Sequence, residues 1–229
     1  MDITLLQDLQ QARQKKQQVV LATTLSTGKS QLLHPFDTAE NSVLLTEART
    51  ALRNDKPREV ETEDGPVFLN IFNPPLRLFI VGAVHIAQKL APMAAAAAYD
   101  VTVIDPRRSF GSDFRFPEIK LDDRWPDEAL AELRPDRRSA IVTLTHDAKL
   151  DDPALESALS SDVFYIGALG STRTNAKRQE RLTKKGFTDD HLARIHGPVG
   201  LDIGAQSPAE IAISIMAEMT ACLRGKPTK

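Results

Sequence analysis

The sequence predicts an α/β protein in which a parallel-sheet domain is preceded by a smaller mixed α+β domain. Three observations predict it. From Leu76 onward, short β-branched apolar runs alternate with helical stretches, the pattern of strands covered on both faces by crossover helices. Before Asn73 the strand-like runs follow one another closely and are separated by turn formers, as in a small antiparallel unit. Between the two lies Asn73-Pro74-Pro75, where two residues without a backbone N–H stiffen the chain and mark a boundary. The domains are therefore expected over 1–75 and 76–229.

Each element has its own justification. Residues 2–17 read as a polar helix, and residues 19–24, 31–34 and 42–45 as short strands, with Gly28 among the turn formers. A helix over about 46–53 follows, then strands at 59–62 and 67–72, with Asp64-Gly65 supplying hairpin chemistry between them. In the second half, 78–81, 86–98 and 101–104 form a strand, a helix and a strand, which is one βαβ unit. Residues 140–144 and 163–166 are further buried-strand candidates, trailed by helix-compatible sequence at 152–159 and 171–185. The last helix is marked by Ser207 as cap, Pro208 at its first position and Glu210 closing a capping box. Its apolar stripe is Ile211, Ile215, Met219 and Cys222.

Composition narrows the function classes. The 229 residues are 41% hydrophobic and 26% charged, near the average for folded soluble proteins, which excludes wholesale disorder and a fibrous repeat. Lys plus Arg number 29 against 31 acids, net −2, so the broad positive field of a non-specific nucleic-acid binder is missing and any anion site is local. A single cysteine excludes an intrachain disulfide and a cysteine-rich zinc site, and fits a reducing compartment. The start, Met1-Asp2-Ile3-Thr4-Leu5-Leu6-Gln7, has an acid where a signal peptide has bases, and the longest apolar-looking run, 90–99, is mostly alanine and too short for a bilayer. The expectation is a cytoplasmic protein with neither a membrane nor a nucleic-acid partner.

Ligands of parallel α/β sheets bind where strands end and helices begin, among free N–H groups and partial positive charge. Those positions here are Gly82-Ala83-Val84-His85, Asp105-Pro106-Arg107-Arg108, Thr145-His146-Asp147 and Gly167-Ala168-Leu169-Gly170-Ser171. The first resembles the dinucleotide fingerprint at Gly82 and Ala87, but Val84 replaces its second glycine. Asp105, 23 residues past Gly82, is placed like the acid that binds a ribose hydroxyl. The second glycine turn leads into Arg173, Lys177, Arg178 and Arg181. There Ser171 can cap the helix or donate to an oxyanion, Arg173 offers a planar fork, and Lys177 and Arg181 read as a solvated face. His85 and His146 suit a polar cleft, without the spacing of metal ligands. His34, His191 and His196 read as ordinary surface or loop residues, and Cys222 as a packing residue on its helical stripe.

Five motifs in order, Gly82-Ala83-Val84-His85-Ile86-Ala87, Val103-Ile104-Asp105-Pro106-Arg107, Thr145 to Asp151, Tyr165 to Arg173 and Ile195 to Ala205, resemble the xanthine dehydrogenase accessory factor family, the XdhC/CoxI type, over about residues 76–223. The resemblance implies a Rossmann-like C-terminal half and a role in maturing molybdenum hydroxylases. In that role a non-catalytic chaperone binds molybdenum cofactor (molybdopterin), holds it while a cysteine desulfurase installs its terminal sulfur, and passes it to the apo molybdenum hydroxylase. A homodimer is a candidate assembly. By resemblance, Gly82, His85, Asp105, Arg107, His146, Asp147, Gly167, Gly170, Ser171, Arg173 and Asp202 are the cofactor-binding positions, with no catalytic or metal-binding residue. Val84 departs from the family's usual glycine, and residues 1–75 lack its glycine-rich, cysteine-bearing segment. Two other readings stay open. One is an oxidoreductase using NAD(P), resting on Asp105 for NAD and on Arg107 and Arg108 for NADP. The other is a scaffold that contacts the hydroxylase through its small N-terminal domain.

Overall fold

In a computed structural model, which describes residues 2–63, 65–107 and 109–228, the chain divides into two compact units, 1–74 and 75–229. The expected hairpin residue Asp64 and the expected NADP residue Arg108 lie outside the described residues.

The first unit is a four-stranded antiparallel sheet with two helices. Its elements are α1 (Ile3–Gln14), β1 (Val19–Thr24), β2 (Ser30–Leu33), α2 (Val43–Asn54), β3 (Arg58–Thr62) and β4 (Gly65–Phe72), with sheet order β2-β1-β4-β3. Val20, Ala22, Val67 and Leu69 point from the sheet toward Ala48 and Leu52 of α2 and form a small core. The strand expected at 42–45 is instead the start of α2. The Ser42 hydroxyl accepts from Leu45 N–H at 3.2 Å as an N-cap, and Leu45, Ala48 and Leu52 fall on one buried helical face. A three-residue apolar run reads equally well with either period, and the cap together with the next two turns decides it. Asn73 is tied back into this unit by donating to Leu52 O at 2.9 Å and Asp55 Oδ1 at 2.6 Å.

The second unit is a six-stranded parallel sheet. It comprises β5 (Leu76–Val81), α3 (His85–Ala96), β6 (Tyr99–Ile104), β7 (Lys120–Asp122), α4 (Pro126–Leu133), β8 (Ser139–Thr143), α5 (Ala148–Leu159), β9 (Tyr165–Ala168), α6 (Thr172–Lys184), α7 (Asp189–Leu192), β10 (Ile195–His196) and α8 (Pro208–Leu223). The order β10-β9-β8-β5-β6-β7 places the first strand of this unit at the centre, with the chain winding outward first one way and then the other. This is the doubly wound arrangement 3-2-1-4-5-6. Both faces are apolar because both are covered. Leu78, Ile80, Val101 and Val103 pack under α3 and α8, while Phe79, Val81, Ile141 and Ile166 pack under α4, α5 and α6.

Two boundaries move in ways that matter for the site. Helix α5 begins at Ala148, four residues earlier than expected, because Asp147 caps it by accepting from Lys149 N–H at 2.9 Å. Asp152 is therefore not a helix-start acid but one turn further in, facing another helix. Strand β9 begins and ends two residues later than expected, which places Gly167 inside the sheet rather than in the turn after it. The capping box of Ser207 and Glu210 at α8 forms as expected, and no described helix is long and apolar enough to cross a membrane.

Candidate functional site

The switch point lies between β5 and β8, where the chain starts winding the other way. Here Gly82 has φ +109°, and a Cβ on it would lie 2.6 Å from the Thr145 side chain. Only glycine fits. The two strand ends are thus closed against each other, and the open space lies to either side.

On the β6–β7 side, Asp105 is 3% exposed and its carboxylate is already engaged. It accepts from Ala83 N–H at 2.8 Å, from Arg107 N–H at 3.0 Å and from the Arg107 side chain at 2.9 and 2.8 Å. Burial pushes this carboxyl up, but the Arg107 guanidinium and the two backbone donors outweigh it and hold the group below its ordinary range. The Arg107 guanidinium stacks over Phe110 with 4.4 Å to the ring centroid. The expected ribose acid is therefore a brace for the Gly82 turn. The adjoining cavity, about 330 Å³, is lined by Ala83, Asp105, Asp122 and Asp123, and two of these carboxylates are already held by arginines, Asp105 by Arg107 and Asp122 by Arg124. Val84 has ordinary extended dihedrals as the N-cap residue of α3 and packs on the core, and His85 at the first turn is exposed.

On the β9–β10 side lies a cavity of about 1060 Å³, lined by Leu169, Gly170, Thr172, the 198–205 segment, Ile211 and Ser214. Two of the expected positions, Gly170 and Asp202, are in its wall. Gly170 has φ +139°, and a Cβ there would lie 2.9 Å from Thr174 Cγ2. Gly167 is elsewhere. It is buried in β9, where a Cβ would meet Val199 at 2.6 Å, so its role is to let that segment close onto the sheet. Ser171 spends its hydroxyl as the N-cap of α6, accepting from Thr174 N–H at 3.2 Å.

The wall segment 198–205 hangs from a buried carboxylate that no sequence motif marks. Glu218 of α8 has no exposed surface. Its Oε2 accepts from Tyr165 Oη at 2.6 Å and from Gly200 N–H at 2.8 Å. Its Oε1 lies 3.1 Å from His196 Nδ1, off the line of a hydrogen bond. Burial raises this carboxyl, and His196, Tyr165 and Gly200 together bring it below the usual value. Burial and the same carboxylate drive the Tyr165 phenol strongly up. His196, expected to be an ordinary loop residue, stacks on Tyr165 at 4.8 Å and sits 3.5 Å from Cys222 Sγ. Cys222 packs against the core as the stripe predicted, and burial pushes its thiol up, away from the nucleophilic form.

A third, smaller cleft of about 190 Å³ lies between α5 and α6. It is lined by His146, Ala148, Asp151, Arg173, Thr174, Lys177, Arg178 and Arg181. His146 takes a left-handed backbone, φ +60°, between Thr145 and the Asp147 cap. Arg181, read from the sequence as part of a solvated face, instead grips Asp152 with both arms at 2.6 and 2.8 Å. Arg178 is 2% exposed, donates to Leu169 O at 2.8 Å and Asn175 Oδ1 at 3.2 Å, and lies 3.9 Å from Asp151. Asp151 in turn accepts from Thr145 Oγ1 at 2.6 Å, and burial leaves its carboxyl above the ordinary range. Among the described residues no group of three or more His, Cys, Asp or Glu is placed to hold a metal ion.

A doubly wound sheet with ligand-sized clefts gathered at its strand ends defines a Rossmann-type binding domain. The family model of the XdhC Rossmann domain matches residues 78–219, and the chain belongs to that family. It is 32% identical over 148 residues to the molybdenum cofactor insertion chaperone PaoD of Escherichia coli, covering 65% of this chain and 40% of PaoD. It is 33% identical over 154 residues to a probable xanthine dehydrogenase subunit of Bacillus subtilis, covering 67% of this chain and 44% of the relative. It is also 31% identical over 157 residues to the uncharacterized E. coli protein YqeB, covering 67% of this chain and 28% of that one. The chain thus matches less than half the length of these curated relatives. The crystal structure of a xanthine dehydrogenase from Bacillus halodurans superposes with a TM-score of 0.68 at 25% identity, covering 98% of this chain and 68% of that one.

Proposed function

We propose that the protein binds molybdenum cofactor as an accessory factor for a xanthine dehydrogenase-type molybdenum hydroxylase and delivers it to the apo-enzyme. The observation that carries this reading is the cavity of about 1060 Å³ at the ends of β9 and β10, of the size that holds a cofactor and built largely from glycine-bearing loop. The donor set fits a pterin. Asp202 offers a carboxylate for ring N–H groups, and Gly204, where a Cβ would meet nothing within 4 Å, leaves the backbone of the wall open to a flat ligand. Molybdopterin also carries a phosphate, for which Arg173 at the first turn of α6 supplies a charge-assisted donor. When bound, the cofactor supplies the redox chemistry of the client enzyme. This chain's residues would bind it, orient it and shield it.

The β6–β7 side of the switch point argues against the NAD(P) reading. Asp105 is fully occupied by Ala83 and Arg107, which leaves it no free oxygen for a ribose hydroxyl, and Val84 stands where the dinucleotide fingerprint has its second glycine. The sulfur-donating partner, a cysteine desulfurase, and a homodimeric state are carried over by family membership alone.

The test is to express the protein alongside molybdenum cofactor biosynthesis, then measure the absorbance spectrum and molybdenum content of the purified protein, with an NADP titration in parallel. Stoichiometric cofactor with no NADP binding is expected. A protein that emerges without molybdenum or pterin but binds NADP would transfer the assignment to the oxidoreductase class.

A further inference from the structure

Helices α5 and α6 run side by side and are joined by a ladder of opposite charges that stops short. On α6 the cations Arg173, Lys177, Arg181 and Lys185 recur every four residues, on one stripe. On α5 the acids that answer them also recur every four, and only twice. Lys185 pairs with Glu156, and Arg181 pairs with Asp152. The next position up α5 in the same register is Ala148, which lines the cleft beside Lys177. In the turn that precedes α5 the cleft is lined by His146, and on α6 by Arg173. The side chains of Arg173 and Lys177 have no ion-pair partner among the described residues. Behind them Arg178 is buried with its Nε lacking an acceptor. The cleft therefore holds four cations, while Asp151 and Asp152 supply two carboxylates.

We propose that this cleft is a dianion site for a phosphate group, free or as the end of a phosphomonoester, which supplies the negative charge that Ala148 does not. Arg173 and Lys177 are its direct ligands. Arg178 acts from behind as a fixed positive charge, its two bonds to Leu169 O and Asn175 Oδ1 keeping it in place. The size agrees. About 190 Å³ is room for roughly six waters at liquid density, enough for one phosphate and too little for a nucleotide. Leu169, Gly170 and Thr172 line the large cavity while Arg173, Thr174 and Lys177 line this cleft, so the first turn of α6 separates the two. A ligand spanning that turn would place its rings on one side and its phosphate on the other. The identity of the ester rests on the cofactor reading above, whereas the affinity for the dianion does not.

The experiment titrates the full chain by calorimetry with inorganic phosphate, with pyrophosphate and with a nucleoside monophosphate, at low and at moderate salt. One phosphate per chain is expected, with Lys177→Gln and Arg173→Gln each weakening it about three- to tenfold. Ala148→Glu, which completes the ladder, should abolish binding without loss of melting temperature, so a folding defect cannot imitate the result. Lys120→Gln, which removes a cation paired with Asp100 on the far edge of the sheet, should leave binding unchanged. Nucleoside monophosphate binding as well as phosphate would indicate an ester end-group, and phosphate alone a free-ion site. Absence of binding, or equal weakening by all four variants, would overturn the proposal. Cofactor loading with no phosphate affinity would sink this inference and spare the function proposed above, and phosphate affinity without cofactor loading would do the reverse.

Discussion

Glu218→Ala is the perturbation that reaches furthest, because one buried carboxylate holds both the core and the cavity wall. The wild-type side chain accepts from Tyr165 Oη and Gly200 N–H, and Tyr165 is 1% exposed. Truncation leaves both donors without a partner, and stranding a buried donor costs about 1–3 kcal/mol each. The void and the loss of attraction to His196 add to this, giving about 3–5 kcal/mol in all. For a unit of this size that corresponds to a fall in melting temperature of roughly 6–20 °C. Glu218→Gln retains an acceptor and the shape, so it should cost about 1–2 kcal/mol, and the difference between the two variants separates hydrogen bonding from charge. The pH dependence has a fixed sign. The folded carboxyl is held below its unfolded value, so its stabilisation is present above about pH 4.3 and is lost as pH falls toward the folded value. The acid limb of stability should therefore be shallower in Glu218→Gln. Thermal and urea unfolding at pH 7 and between pH 5 and 3 measure all of this. A Glu218→Ala protein within about 1 kcal/mol of wild type would refute the reasoning, since it would mean that water reaches Tyr165 and Gly200 and the wall does not hang from α8.

Three further outcomes are expected. Gly170→Val should lose about 1–3 kcal/mol of stability from its left-handed backbone and reduce cofactor retention through its clash with Thr174, read by melting temperature and by molybdenum content. Cys222→Ala should cost on the order of 1 kcal/mol through lost packing while leaving phosphate and cofactor binding intact. A variant that kept its melting temperature but lost the ligand would reassign the thiol. Limited proteolysis should release a stable fragment beginning near Leu76, because Asn73 is anchored to the first unit, the division falls between Pro74 and Pro75, and Leu76 opens the second sheet. Digestion without such a fragment would count against two independently stable units.

The parallel sheet was legible because its strands announce themselves. Leu78 to Val81, Val101 to Ile104 and Ala140 to Val142 are buried on both faces, so they are apolar throughout except at Thr102, and such runs stand out between helical stretches. Helix α4 escaped in a proline-bounded polar stretch despite Ala129 and Leu130 on one buried face, and the other elements that escaped have no periodicity to read. Strand β7 is three residues with a lysine and an aspartate, β10 is two residues, and α7 is a single turn. Their positions are set by neighbours. At 42–45 the signal was present but ambiguous, and the serine cap rather than the apolar run carried the information.

The candidate site divides along the same line. Positions whose role is local, such as the positive φ of Gly82 and Gly170 or the caps Asp147 and Ser171, follow from the turn chemistry around them. Positions whose role depends on another element do not. His196 reads in the sequence as an ordinary loop histidine, and only β10 lays it against Glu218, 22 residues on, and Tyr165. The cation stripe of α6 was visible as a stripe, and a stripe at four-residue spacing on an isolated helix is a solvated face. What turns it into a binding surface is its register against α5, which sets Arg181 opposite Asp152 and Lys177 opposite Ala148. That register is fixed by how Leu155, Ala158 and Leu182 pack beneath the two helices. A charge row therefore acquires its meaning from the core below it, and the unpaired rung is found only by asking, for each cation, which residue the packing places across from it.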